Sequence, residues 1–132
     1  MQAFDISKTK PLAESGDLEA QYKLGWHYFG GELGVNQSKN RERAFVWWMK
    51  AAIAGHSESQ NRVAVCYRGG IGTEQSYEIA EIWLRKAAEN GSAAAQHFLA
   101  NCYSNGLGVP KDQVTAQYWF AKAATPRSPK NT

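Results

Sequence analysis

At 132 residues, with 43% hydrophobic content, five Trp, six Tyr and five Phe, the chain is one domain by size and apolar enough to build a core. A formal net charge of +3 is too small and too scattered to point to nucleic acid, although it favours an acidic partner. No apolar run reaches transmembrane length and MQAFDISKTK lacks the basic-then-apolar layout of a secretory signal, so a soluble cytoplasmic protein that does not use a membrane is expected.

Residues 1–16 read as a leftover second helix, a capping segment, because Ala13 and Gly16 stand as Ala52 and Gly55 do, and as Ala88 and Gly91 do. Pro11 limits that helix to a short piece or shifts its start. Phe4 and Ile6 are then placed to cover the open end of whatever follows.

Three near-copies of one unit follow, over 17–55, 56–91 and 92–124. The first unit opens near Asp17, a good N-cap type, and its first helix carries Ala20, Leu24, Gly25 and Tyr28 on one face. Ser59, Val63, Ala64 and Tyr67 match these in the second unit, and Ala95, Leu99, Ala100 and Tyr103 in the third. A glycine turn comes next each time: GGELGV at 30–35, GGIGT at 69–73 and GLGVP at 106–110. Glycine there permits positive φ between antiparallel helices.

The second helices are expected to start at Asn40, Ser76 and Asp112, all good N-cap types and 36 residues apart. Ala44, Trp47, Ala51 and Ala52 then form one apolar face, repeated by Ala80, Trp83, Ala87 and Ala88 and by Ala116, Trp119, Ala123 and Ala124. One bulky ring among alanines suits a knob between close helices. Gly55 and Gly91 end these helices. Three extra residues of the first unit fall between Tyr28 and Ala44, where the turn is expected to absorb them. A period of 36 with two helical patterns per unit belongs to helical solenoids, whose units bury their apolar faces only by stacking. The end, 125–132, is polar, basic and proline-containing and reads as a disordered tail.

The pattern A-x3-LG-x2-Y, a G-x-G-V turn, then A-x2-W-x3-AA-x2-G resembles the Sel-one-like repeat (SLR) family, a relative of the tetratricopeptide repeats. The resemblance spans nearly all of 17–124, with AQYKLGWHYFGGELGV and AQHFLANCYSNGLGVPKD as its clearest stretches. Ala64 and Ala100 depart from it in place of Gly, Ser59 in place of Ala, and Thr73 in place of Val. It implies an all-α, right-handed α-solenoid of antiparallel helix pairs that binds proteins, with the first helices lining the concave side. It implies no enzyme, no cofactor and no particular partner. Bacterial relatives include signalling and host-interaction adaptors, and some resemble immunity proteins that occlude a cognate secreted toxin. Cysteine-rich relatives carry a disulfide within each repeat, a pattern that one Cys per repeat does not fit.

Other chemistry is weakly signalled. No glycine turn has the G-x4-G-K-[ST] form or follows a strand. Cys66 and Cys102 occupy one position in successive units, where helices stand roughly 8–10 Å apart while a disulfide needs Cα atoms within about 7 Å, so free thiols are expected. A reducing compartment agrees with that. His27 shares that position, yet rungs about 9 Å apart cannot converge on one metal ion. Nothing specifies an activated cysteine nucleophile. The rival class is a hydrolase or ligand-binding enzyme using the groove, which a tight cluster of titratable groups there would favour.

On each first helix, the positions opposite the core face hold Glu19, Tyr22, Trp26 and Phe29, then Glu58, Asn61, Val65 and Arg68, then Ala94, His97, Asn101 and Ser104. Aromatics and Arg anchor protein interfaces, so Tyr22, Trp26 and Phe29 are expected to anchor a partner protein. Arg68 is assigned to an acidic group and His97 and Asn101 to hydrogen bonds, and Asn61 and Val65 on the same face are counted among the partner-binding residues. The alternative is that Phe4 or Ile6 folds over this stripe, or that curvature buries it. At the far end, Tyr118, Trp119 and Phe120 are incompletely covered and form a homodimer contact, or Tyr118 and Phe120 pack inside the monomer.

Overall fold

The computed structural model describes residues 5–30 and 37–125, so Phe4, most of the first glycine turn and the 126–132 tail lie outside it. Seven helices and no strand occur among the described residues: α1 (Ile6–Glu14), α2 (Leu18–Phe29), α3 (Gln37–Ile53), α4 (Ser57–Gly69), α5 (Tyr77–Glu89), α6 (Ala93–Asn105) and α7 (Gln113–Ala124). Packing is tightest within α2–α3, α4–α5 and α6–α7, and each pair meets the next through its neighbour in sequence. This is an all-α solenoid. α1 lies on α2 as a second-type helix without a first-type mate. It runs through Pro11, and Ile6 packs with Ala13 and Leu24 beside Tyr28 and Trp47.

Two kinds of corner alternate. Where α3 hands over to α4, Gly55 takes φ 101°, its N–H donates to Ala52 O and that of His56 donates to Ala51 O, both at 3.0 Å. The left-handed residue thereby satisfies last-turn carbonyls of the helix. His56 then caps α4 by accepting from Ser59 N–H at 3.2 Å. Gly16 with Asp17, and Gly91 with Ser92, repeat the arrangement. One residue therefore finishes one helix and begins another.

A glutamine four residues beyond each of these caps ties the corner shut. Gln21, Gln60 and Gln96 are buried and donate from Nε2 to the carbonyls of Ala13, Ala52 and Ala88 at 3.0, 3.1 and 3.0 Å. Each such bond contributes about 0.5–1.5 kcal/mol. The other corner uses a pair of glycines, and the second of them is held by space as well as by φ. A Cβ on Gly72 would run into the Arg41 carbonyl, and one on Gly108 would sit 2.7 Å from Tyr77 O. The turn thus leans on the start of the preceding second helix.

Three expectations need correction. α3 begins at Gln37 and places Asn40 inside the helix, whereas Ser76 and Asp112 do cap α5 and α7. At 17 residues against 13 and 12, α3 takes up added length as helix, since nothing in QSKN opposes another turn. The core ring of the first unit is Trp48, fully buried, while Trp47 is only partly covered. Leu84 holds the same place in the second unit beside a partly covered Trp83, and only in the third is the expected ring, Trp119, buried.

Candidate protein-binding face

The first helices α2, α4 and α6 stand side by side, and their mutual contacts define one surface. Its first rung is set by an exchange of size between α2 and α3. Gly25 has no side chain, and a Cβ there would lie 2.7 Å from Trp48 Cε2 and closer still to other indole atoms. The missing methyl admits the whole ring, whose Nε1 donates to Tyr22 O at 3.1 Å. From that seat Trp48 backs the outer aromatics, with ring centroids 5.2 Å from Trp26 and 5.7 Å from Phe29.

Tyr22, Trp26 and Phe29 do lie together: Trp26 meets the ring edges of Tyr22 and Phe29 at 6.4 and 5.6 Å. Tyr22 and Phe29 pack partly against the core around Trp48, whereas Trp26 stays 37% exposed. Ile6 does not fold over them, because it packs behind α2. The Arg62 guanidinium, which the sequence reading passed over, sits in the corner of two indoles, 4.5 Å from the Trp26 ring and 5.1 Å from that of Trp48. Its Nε is buried with no hydrogen-bond partner, as is Asn61 Oδ1. Position 62 points about 60° from Val65, and a long side chain crosses that angle easily.

Val65 is half-buried between two arginines that lean apart. Arg68 reaches the other way, 5.0 Å over the Phe98 ring with Nη1 3.9 Å from Cys102 Sγ. On α6, His97 is exposed against the Phe120 ring at 5.4 Å, and its Nδ1 lies 3.5 Å from Asn101 Nδ2. The eight predicted residues therefore form two groups with Val65 between them: aromatics with Asn61 at one end, and Arg68, His97 and Asn101 at the other.

Glu19, His56 and Glu58 gather at the edge of this face, with ligand-type atoms within 4.8 Å of one another. Such a tight titratable group is what the enzyme reading would favour. Its central member is committed elsewhere: His56 Nδ1 accepts from Ser59 N–H, so Nε2 carries the proton and donates to Glu19 Oε1 at 3.1 Å. In this tautomer no nitrogen lone pair faces the carboxylates. The cysteines are free and buried. Burial pushes the Cys66 thiol up to about 11, against a smaller opposing pull from Arg62, and it raises Cys102 as well. Neither is an activated nucleophile.

At the far end Trp119 is buried and Phe120 packs on the core, but Tyr118 and Val114 stand 54% and 82% exposed. No helix among the described residues is long and apolar enough to cross a membrane.

A family model described as Sel1 repeat matches residues 18–56, 57–92 and 93–125. The structure is similar to that of a Sel1 repeat protein from Oxalobacter formigenes, at 36% identity and TM-score 0.83, covering 91% of this chain and 89% of that one. It is also similar to a protective antigen of uropathogenic Escherichia coli with an SLR fold, at 26% identity and TM-score 0.62, over 92% of this chain and 33% of that one. Helicobacter pylori cysteine rich protein B shares the fold at 20% identity and TM-score 0.66, over 92% and 90%. Protein SHC1 of Saccharomyces cerevisiae is 42% identical over 67 residues, which span 51% of this chain and only 12% of that protein.

Proposed function

Because this chain belongs to the Sel1 repeat family, we propose that it acts by stoichiometric binding of a partner protein along the concave face lined by α2, α4 and α6. Sel1 repeat proteins are generally protein–protein interaction modules. The observation that carries the reading is Trp26, a large ring left 37% exposed although Trp48, Phe29 and Arg62 all pack against it. A ring already packed loses little freedom on binding, which is what an interface anchor needs. Tyr22 and Phe29 extend that anchor, and Asn61, Val65, Arg68, His97 and Asn101 continue the surface. Arg68 and Arg62 have no carboxylate partner among the described residues, which favours an acidic partner.

Within this role, occlusion of a toxin's active site by the groove and service as a signalling or assembly adaptor are finer versions that use the same surface. Capture from native lysate tests the common claim. A Tyr22→Ala/Trp26→Ala variant with an unchanged far-UV spectrum is expected to lose a partner that wild type and Ile53→Ala, altered on an exposed position of α3, both retain. Equal capture by all three sinks the proposal. Capture of an enzyme whose activity then stops in the complex would select the occluding version.

A further inference from the structure

We infer that the partner's anchor enters a notch on the open flank of α2, and that this anchor is a bulky apolar side chain next to a carboxylate. The inference rests on the protein-binding reading above and assigns it a pocket and a chemistry. α2 is the first of its row among the described residues: α4 carries a neighbour on either side, through Arg62 over Trp26 and Arg68 over Phe98, whereas the described elements packed on α2 are α1, α3 and, on one flank, α4. On the remaining flank lies a notch of about 380 Å³ lined by Lys23, Trp26, His27 and Gly30. Trp26 therefore has Arg62 stacked against its ring and the notch beside it. A volume near the low end of ordinary ligand pockets suits one side chain with its flanking residues.

Charge selects the occupant. Lys23 sits one helical turn after Glu19, the natural partner for it, but Glu19 is turned to His56 at 3.1 Å. No carboxylate among the described residues pairs with Lys23 or with Arg62. Two cations flank one half-exposed indole, so an apolar group against the ring and a carboxylate at its side satisfy the site together. A cationic segment would meet repulsion from both sides.

The test uses random dodecamer peptides displayed on phage and selected on the whole wild-type protein, followed by anisotropy with the selected, fluorescein-labelled dodecamers. Peptides with Asp or Glu beside Leu, Phe or Trp are expected. Lys23→Glu and Gly30→Met alter exposed positions; an unchanged melting curve is expected of the first, and a slightly lowered one of the second, whose added Cβ stands a tight 3.3 Å from Trp26 O, so binding is read at a temperature where both are folded. Each should weaken binding by about tenfold or more, and an Asp→Lys version of the peptide should recover on Lys23→Glu. Selected peptides without acidic enrichment, or equal binding by both variants, overturn the notch while the groove stands. Failure to select any peptide overturns the groove reading itself.

Discussion

The seam between α2 and α3 and the seam between α4 and α5 have the same backbone and different fillings. The first pairs Gly25 with Trp48, and the second pairs Ala64 with Leu84. The exchange makes room and then overfills it: where the first helix gives up a methyl, the second supplies an indole in place of an isobutyl group. The consequence reaches the surface, because an indole is large enough to protrude past the core and support Trp26, Phe29 and Arg62 from behind, while Leu84 ends within it. A repeat can thus keep its pitch and still build a sticky rung from one such exchange.

The sharpest way to break that comparison is Trp48→Ala, expected to cost about 3–5 kcal/mol in urea denaturation and to unseat the outer rings. Next comes Gly25→Ala, which copies the residue found at 64 and 100 and yet should cost about 1–3 kcal/mol, through overlap with the indole. Adding Trp48→Leu to it rebuilds the second seam in the first, so the double variant should be more stable than the sum of the singles implies. Additive losses would show that the two seams do not trade bulk.

Cys66, packed beside Trp48, supplies a test by pH. Its thiol titrates near 9.0 unfolded and is raised to about 11 folded, so between these values the native state holds the extra proton. Its contribution is complete below pH 9 and is lost as pH rises toward about 11, by an amount on the order of 1–3 kcal/mol. Cys66→Ala should flatten that part of the stability profile. Smallest is a gain. Asn90 donates to Gln60 Oε1 at 3.1 Å, but Gln21 Oε1 is buried without a partner, and Ala54 stands where Asn90 stands in the next unit. Ala54→Asn should stabilise by about 0.5–1.5 kcal/mol, read as a raised urea midpoint.

The fold was legible because residues 36 apart must occupy one place in successive units, so Ala44, Ala80 and Ala116 declare themselves. The site was less so. Trp47 was favoured over Trp48 because it recurs as Trp83 and Trp119, yet the face centred on Ala44, Ala51 and Ala52 lies about 20° from position 48 and about 80° from position 47. Angle decides burial and recurrence does not. Gln21, Gln60 and Gln96 also recur, but the sequence does not say that each reaches back to a carbonyl eight residues earlier. Arg62 was invisible for a different reason: its role comes from two indoles on another pair of helices, a relation without a local signature.

At Asp17, His56 and Ser92 a single residue completes one helix and starts the next, so that rim of the stack has no spare chain. An epitope tag spliced there would pull adjacent rungs out of step. The opposite rim already tolerates extra length ahead of Ala44, and it is where a fluorophore loop or a tether belongs. The molecule can be wired from one side only, leaving its spacing as a ruler undisturbed.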